Sequence, residues 1–309
     1  MSARKAELAR IGIDLGGTKI EAAVLTPAGE LAHRQRVPTP RHDYDGTLSC
    51  IAELVEKLAV ALPCDEPIGV GAPGAISPFD GRLRNANSVW LNDRSLETDL
   101  AARLGRPVRT ANDADCFALS EANGGAAAGA ASVFGVIIGT GTGGGIVVHG
   151  RLLRGPNAIA GEWGHNPLPW PRPDELPGPP CYCGRRGCIE TFCSGPGLTA
   201  DLRAATGRSL DATAIAAAAD RGDPQAEAAL RRHEDRLARA LAAVINVLDP
   251  EVIVLGGGLS KLERLYGTLP GLVAQYVFSD GLATRILPPR FGDSSGVRGA
   301  AMLWPDDAG

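Results

Sequence analysis

Apolar residues fall in short blocks that end on glycine, and these blocks mark most of the predicted elements. Ile11, Ile13 and Leu15 predict a buried strand over 11–15 that runs into Gly16, Gly17, Thr18 and Lys19. Residues 20–25 predict its returning partner, closed by a turn at 26–29. Leu48, Ile51, Val55, Leu58 and Leu62 recur at the spacing of one helical face within 46–62. Short strands follow at 68–70 and 107–111, the second leading through Asn112, Asp113, Ala114 and Asp115 into a helix over 116–122. Strands at 133–138 and 146–148 flank a turn of Gly139, Thr140, Gly141, Thr142, Gly143, Gly144 and Gly145. Asp223 and Pro224 supply the N-cap and first position of a long helix with Leu230, Leu237, Leu241, Val244 and Leu248 on one face, ended by Asp249–Pro250. A buried strand over 252–255 empties into Gly256, Gly257 and Gly258, and a turn at 292–296 with a helix over 297–304 completes the packing.

Two of these blocks repeat one design. Strand, glycine–threonine turn, strand and glycine turn describe both 11–29 and 133–150, which predicts a duplicated domain gripping a nucleotide's phosphates. Glycines let backbone N–H groups approach a phosphate, Thr18 offers a hydroxyl, and Asp14 at the strand end can hold Mg²⁺ or its waters. No Walker loop is present, because Lys19 follows the threonine. Gly139, Gly141 and Gly144 satisfy a dinucleotide fingerprint in letters only, since a strand follows where that motif requires a helix. The small-residue stretch 124–131 marks a domain boundary.

Totals narrow the partners. The 309 residues suffice for two domains; 44% are apolar, 21% are charged, and the net charge is −4. No basic run advertises nucleic acid, no apolar run reaches a membrane span, and the polar opening 1–10 is no secretory signal. Cys50, Cys64, Cys116 and Cys193 are scattered and read as reduced core thiols, which places the chain in the cytosol. Cys181, Cys183 and Cys188 are different: three thiols within eight residues, with Gly184 and Gly187 for the tight turns and His165 upstream. A Cys₃His set suits tetrahedral Zn²⁺, which we weigh above three buried or disulfide-bonded cysteines. Glu162 and Glu190 stand beside these ligands, so closing the knuckle gathers two carboxylates and an imidazole. Seven prolines between 167 and 180 make the connection an irregular loop. Two further signals stay open on residue type alone. Asp113 reads as a helix cap or a general base, with Asp115 competing for both roles, and Asn85, Asn87 and Asn92 in the loop 81–93 read as turn formers or sugar contacts.

Taken together, IGIDLGGTK (11–19), NDAD (112–115), GTGTGGG (139–145), GEWGH (161–165), CYCGRRGCIE (181–190) and DPEVIVLGGG (249–258) resemble the ROK family of bacterial sugar kinases over nearly the whole chain. The resemblance implies an α/β, actin-like ATPase (ribonuclease-H-like) fold of two duplicated domains with the active site in the cleft between them. It implies an N-terminal domain over 1–123, completed by a helix at 297–309, and a C-terminal domain over 124–296. Asp14, Gly16, Gly17, Thr18 and Lys19, with Gly139, Thr140, Gly141, Thr142 and Gly143, then serve the phosphates of ATP–Mg²⁺, and Gly256, Gly257 and Gly258 its adenosine. Asp113 becomes the catalytic base, Asn112, Glu162, His165 and Glu190 the sugar contacts, and His165, Cys181, Cys183 and Cys188 the structural zinc set. Segments 74–93, 160–170 and 292–301 look most like fructokinases, although Phe291 stands where those relatives carry histidine. ROK repressors carry a helix-turn-helix domain ahead of the first phosphate motif, which begins here at Ile11 and leaves no room for one. The expectation is ATP-dependent phosphorylation of D-fructose to fructose 6-phosphate by a cytoplasmic homodimer. An N-acetylglucosamine kinase or a glucokinase/mannokinase of the same family is the alternative, and a non-catalytic sugar or nucleotide sensor is the alternative of another class.

Overall fold

A computed structural model describes residues 9–61 and 68–304; Leu62, Cys64, most of the opening 1–10 and the 305–309 end of the expected terminal helix lie outside them. The chain divides into two units: Met1–Gly124 with Arg151–Ala160 and Asp293–Gly309, and Gly125–Gly150 with Gly161–Gly292.

The first unit is built on β1 (Arg10–Leu15), β2 (Lys19–Leu25), β3 (Leu31–Pro38), β4 (Ile68–Ala72) and a later strand, Val108–Asn112. Their order is β3-β2-β1-β4 and then Val108–Asn112, antiparallel across the first three strands and parallel across the rest. Between β4 and its parallel neighbour a two-strand hairpin, β5 (Ala75–Ile76) with β6 (Leu83–Arg84), opens the loop 81–93, so Val108–Asn112 is β7. The predicted face of α1 (Tyr44–Ala61) is the buried one: Leu48, Ile51, Val55 and Leu58 join Ile11, Ile13, Leu15 and Ile20 in one core. Strand β3 was not foreseen, because as the outer antiparallel partner of β2 it keeps polar residues and only half-buries them. The loop 81–93 is less polar in place than its asparagines suggest, since Leu83, Ala86, Ser88 and Leu91 are buried. Asn92 settles as a turn former, its amide bonding the N–H and C=O of Ala86 at 2.9 and 3.0 Å.

After α2 (Leu96–Leu104), helix α3 (Asp113–Ala122) starts three residues earlier than its apolar pattern predicts. Asn112 is its N-cap, accepting from the Ala114 N–H at 2.8 Å, and Asp113, the first helical residue, accepts from the same N–H at 2.9 Å. The terminal helix, Ser295–Ala301, belongs to this unit. It lies so close to β4 that a Cβ on Gly69 would strike the Ala300 carbonyl. Ser295 donates to Glu121 of α3 at 2.7 Å, both side chains buried.

In the second unit β8 (Ser132–Ile138) and β9 (Thr142–Val148) form the antiparallel hairpin, and β8 runs parallel to Val252–Gly256, itself parallel to Arg285–Leu287. A glycine-rich hairpin joined edge-on to parallel strands thus occurs twice, once per unit. Helices α4 (Ile189–Cys193), α5 (Gly195–Thr206), α6 (Ala212–Asp220), α7 (Pro224–Leu248) and α8 (Arg264–Val273) surround the second core. Asp223 caps α7 through the N–H groups of Gln225 and Ala226, and Leu230, Leu237 and Leu241 are buried as their spacing predicts. Among the described residues no helix is long and apolar enough to cross a membrane.

Candidate active site and cysteine knuckle

The first unit gathers its candidate residues at the ends of β1 and β7. The turn after β1 is tied by Gly16 N–H to the Lys19 carbonyl at 3.0 Å, and Thr39 holds it from outside, donating from Oγ1 to Gly16 O at 2.7 Å and from N to Thr18 O at 3.1 Å. Asp14, at the end of β1, has its carboxyl pushed up to about 6, by burial first and then by the charges of Asp113 and Glu21. Asp113 is solvent-accessible, yet desolvation by the protein around it still raises its carboxyl, outweighing the N–H groups of Ala114 and of its own backbone. Glu21, opposite Asp14 on β2, is buried and paired with Arg34 and Arg36. Asn112 spends half its amide on structure, capping α3 and donating to Gly74 O at 2.9 Å.

In the second unit the GEWGH segment, the hairpin turn and the knuckle are one structure. Trp163 is buried edge-on to Phe134 and donates its indole N–H to Gly143 O at 2.9 Å. Gly164 permits this approach, because a Cβ there would run into the Thr142 carbonyl. Glu190, the second residue of α4, accepts the Thr142 N–H on Oε2 at 2.9 Å. The third glycine-rich segment lies beside the second: a Cβ on Gly139 would sit 3.7 Å from Gly258 N. Ser260 closes that segment by donating to Gly257 O at 2.7 Å.

Ligand atoms of His165, Cys181, Cys183 and Cys188 all lie within 4.8 Å of one another. Cys181 Sγ is 3.6 Å from His165 Nδ1, and Cys183 Sγ is 3.6 Å from Cys188 Sγ. A tetrahedron with zinc–sulfur bonds of about 2.3 Å has edges of about 3.8 Å, so the donor set fits that ion. The other imidazole nitrogen, Nε2, faces the Tyr182 hydroxyl at 2.9 Å, with the two rings edge-to-face.

Sequence reasoning missed what anchors the proline-rich loop. Within it Pro173–Glu175 form a short 3₁₀ turn, and Glu175 is buried. Its carboxylate accepts from Arg236 at 2.8 Å and from both terminal nitrogens of Arg239 at 2.9 and 2.7 Å. Arg239 Nη1 also donates to the carbonyls of Pro169 and Trp170. These bonds hold the Glu175 carboxyl down at about 2, overcoming the opposing effect of burial. The available signal was two arginines three residues apart on the core side of α7, which a helix-face count treats as exceptions.

Twin mixed sheets, each with a glycine-rich hairpin, define the class: the actin-like, ribonuclease-H-like α/β fold of sugar kinases. The ROK family model matches residues 10–307, and the chain belongs to the ROK family. An N-acetyl-D-glucosamine kinase of Yersinia pseudotuberculosis serotype O:1b (strain IP 31758) is 40% identical over 296 residues, covering 94% of this chain and 97% of its own. The N-acetyl-D-glucosamine kinase of Escherichia coli O9:H4 (strain HS) is 38% identical, covering 94% and 98%. The crystal structure of a ROK hexokinase from Thermus thermophilus superposes with a TM-score of 0.85 at 33% identity, covering 96% of this chain and 97% of that one. A ROK glucokinase from Streptomyces griseus, solved with glucose and AMPPNP, gives 0.78 at 28% identity, covering 96% and 98%. The chain is accordingly an ATP-dependent sugar kinase of this family.

Proposed function

We propose that the sugar is N-acetyl-D-glucosamine, phosphorylated on its 6-hydroxyl. The observation that carries this reading is the near-full-length identity to N-acetyl-D-glucosamine kinases, which exceeds the identity to the hexokinase and glucokinase structures. It displaces D-fructose, whose support was the look of segments 74–93, 160–170 and 292–301.

Asp113 is the base in this reading. Its rigid place at the first position of α3, its accessibility and its raised carboxyl suit it to accept the proton of a sugar hydroxyl as that oxygen attacks the γ-phosphate. Asp14 and Thr18 are the residues that would hold Mg²⁺, which supplies positive charge to the phosphate oxygens when bound. In this reading the turn at 16–19 and the turn at 139–143 serve the phosphates, and Gly256, Gly257 and Gly258 take the adenosine. Glu162, Glu190, His165 and Asn112 bind the sugar. Glu190 has one oxygen on the Thr142 N–H and the other left for a hydroxyl, so sugar position and the phosphate hairpin are set by one side chain. His165 with Cys181, Cys183 and Cys188 would hold Zn²⁺, which supplies a tetrahedral crosslink when bound.

The experiment is incubation with ATP, Mg²⁺ and N-acetyl-D-glucosamine, following ADP release and the phosphorus NMR spectrum of the product. Sugar-dependent ADP release with a phosphate monoester on the 6-position is expected. ADP release that ignores the sugar, or none at all, contradicts the reading.

A further inference from the structure

We infer that Gly296, the second residue of the terminal helix, is a positioning residue for Asp14: it keeps open the space that the Asp14 carboxylate occupies. This inference rests on the site proposed above, in which Asp14 would hold Mg²⁺, and it adds a residue that acts only through Asp14.

Glycine weakens a helix, because it loses more backbone freedom on folding than alanine does, so its presence in one needs a local reason. Around the terminal helix three other glycines share one kind of reason. A Cβ on Gly12 would lie 2.1 Å from the Val297 carbonyl oxygen, one on Gly69 1.7 Å from that of Ala300, and one on Gly299 1.7 Å from that of Cys116. Each lets backbone meet backbone and so serves the packing of the helix on β1, β4 and α3. Gly296 is different. The three atoms nearest to a Cβ there all belong to the Asp14 carboxylate: Oδ2 at 2.8 Å, Cγ at 3.1 Å and Oδ1 at 3.5 Å. Its own backbone is helical, without the positive φ of Gly292, so no turn demands glycine.

A carboxylate is the far end of a side chain, so a methyl at 296 would move it and leave the backbone in place. Relief does not lie towards β2, where Glu21 stands directly opposite Asp14, buried and paired with Arg34 and Arg36. A shift that way brings two like charges together. The bare Cα of Gly296 therefore sets where the carboxylate comes to rest at the end of β1, within one unit of the chain. Such placement matters to a metal like Mg²⁺, which demands near-octahedral geometry from the few carboxylates that hold it. The chain accepts a weaker first turn of helix for the sake of that placement.

The test is Gly296→Ala, alone and combined with Asp14→Ala. Gly267→Ala is the control, because a Cβ on Gly267, inside α8, would meet nothing within 4 Å. Thermal melts of the Mg²⁺-free proteins read the contact without turnover. In the Asp14→Ala background the methyl has room, so Gly296→Ala should change the melting temperature more favourably there than in wild type, by about 2 °C or more. Gly267→Ala should act alike in both backgrounds. Mn²⁺ titrated with a non-hydrolysable ATP analogue present, and read by electron paramagnetic resonance, reports metal affinity. Gly296→Ala should lower that affinity about 10- to 100-fold and kcat over the same range, with sugar affinity unchanged, and Gly267→Ala should alter none of them. Equal melting shifts in the two backgrounds overturn the inference. Unchanged Mn²⁺ affinity in Gly296→Ala also overturns it, because the carboxylate then needs no such placement. Should Gly296→Ala alone not fold, recovery of the fold in the double variant supports the inference, and failure of both overturns it. Undiminished Mn²⁺ affinity and turnover in Asp14→Ala overturn the assignment of the metal to Asp14 and this inference with it, a result told apart by melts that still show the coupling.

Discussion

Asp14 and Asp113 stand at the ends of β1 and β7, two strands apart in one sheet, and desolvation makes each carboxyl costlier to ionise there. Asp113→Asn should leave sugar affinity intact and lower kcat by ~10²–10⁴, the range for losing a positioned base; equal turnover in variant and wild type would assign the base elsewhere. A base must be deprotonated to act, and the Asp113 carboxyl is raised by desolvation, so kcat/KM should fall in acid above the ordinary carboxylate range. Asp14 makes a separate prediction about stability. Its pKa is about 6 folded against an ordinary carboxyl value of 3.8, so the folded state holds the extra proton between those values and stability declines as pH rises through them. Asp14→Asn should therefore stabilise the Mg²⁺-free protein by about 1–3 kcal/mol near pH 7, with the gain gone near pH 4. Denaturant melts at both pH values measure it, and a variant less stable at neutral pH would show that ionised Asp14 is well accommodated. The acid at a strand end was legible in the sequence; which of Asn112, Asp113 and Asp115 caps the helix was not, since all three are good caps and only the observed start of α3 at Asp113 puts Asn112 in the N-cap position.

The segment from Gly161 through α4 is the element to which the proposed metal, sugar and phosphate roles all fall. Its cysteine spacing was readable, and so was its irregular path, because prolines exclude helix. Its attachment was not, because Glu175, Arg236 and Arg239 look like ordinary surface charges until α7 turns both arginines inward. Stripping the knuckle of metal should consequently loosen one end of the segment while Glu175 keeps the other. Purified protein is expected to carry about one zinc per chain, with Cys181, Cys183 and Cys188 slow to alkylate. Chelation should raise the sugar KM more than the ATP KM, since Glu162 and His165 lie at the loosened end. Elemental analysis without zinc, with all three thiols freely reactive, would remove the metal from the account.

At the scale of the molecule, the duplication was visible because a strand, glycine–threonine turn, strand pattern occurs twice and survives as two hairpins in two mixed sheets. The packing of Ser295–Ala301 against β1, β4 and α3 joins residues separated by most of the chain's length, which no local pattern of residues reveals. Substrate identity was the least legible level. Carboxylates, an imidazole and an amide bind hydroxyls of many sugars, and the sequence motifs carry no acetamide-specific group, so the choice rests on relatedness. The direct measurement is one competition, with N-acetyl-D-glucosamine, glucose, mannose and fructose supplied together at equal concentration with ATP and Mg²⁺, and the initial product ratio read as the ratio of kcat/KM values. The account predicts that N-acetyl-D-glucosamine 6-phosphate leads each other product by about tenfold or more, a margin that one well-placed polar contact to the acetamide supplies. Fructose 6-phosphate or glucose 6-phosphate leading by that margin would contradict it.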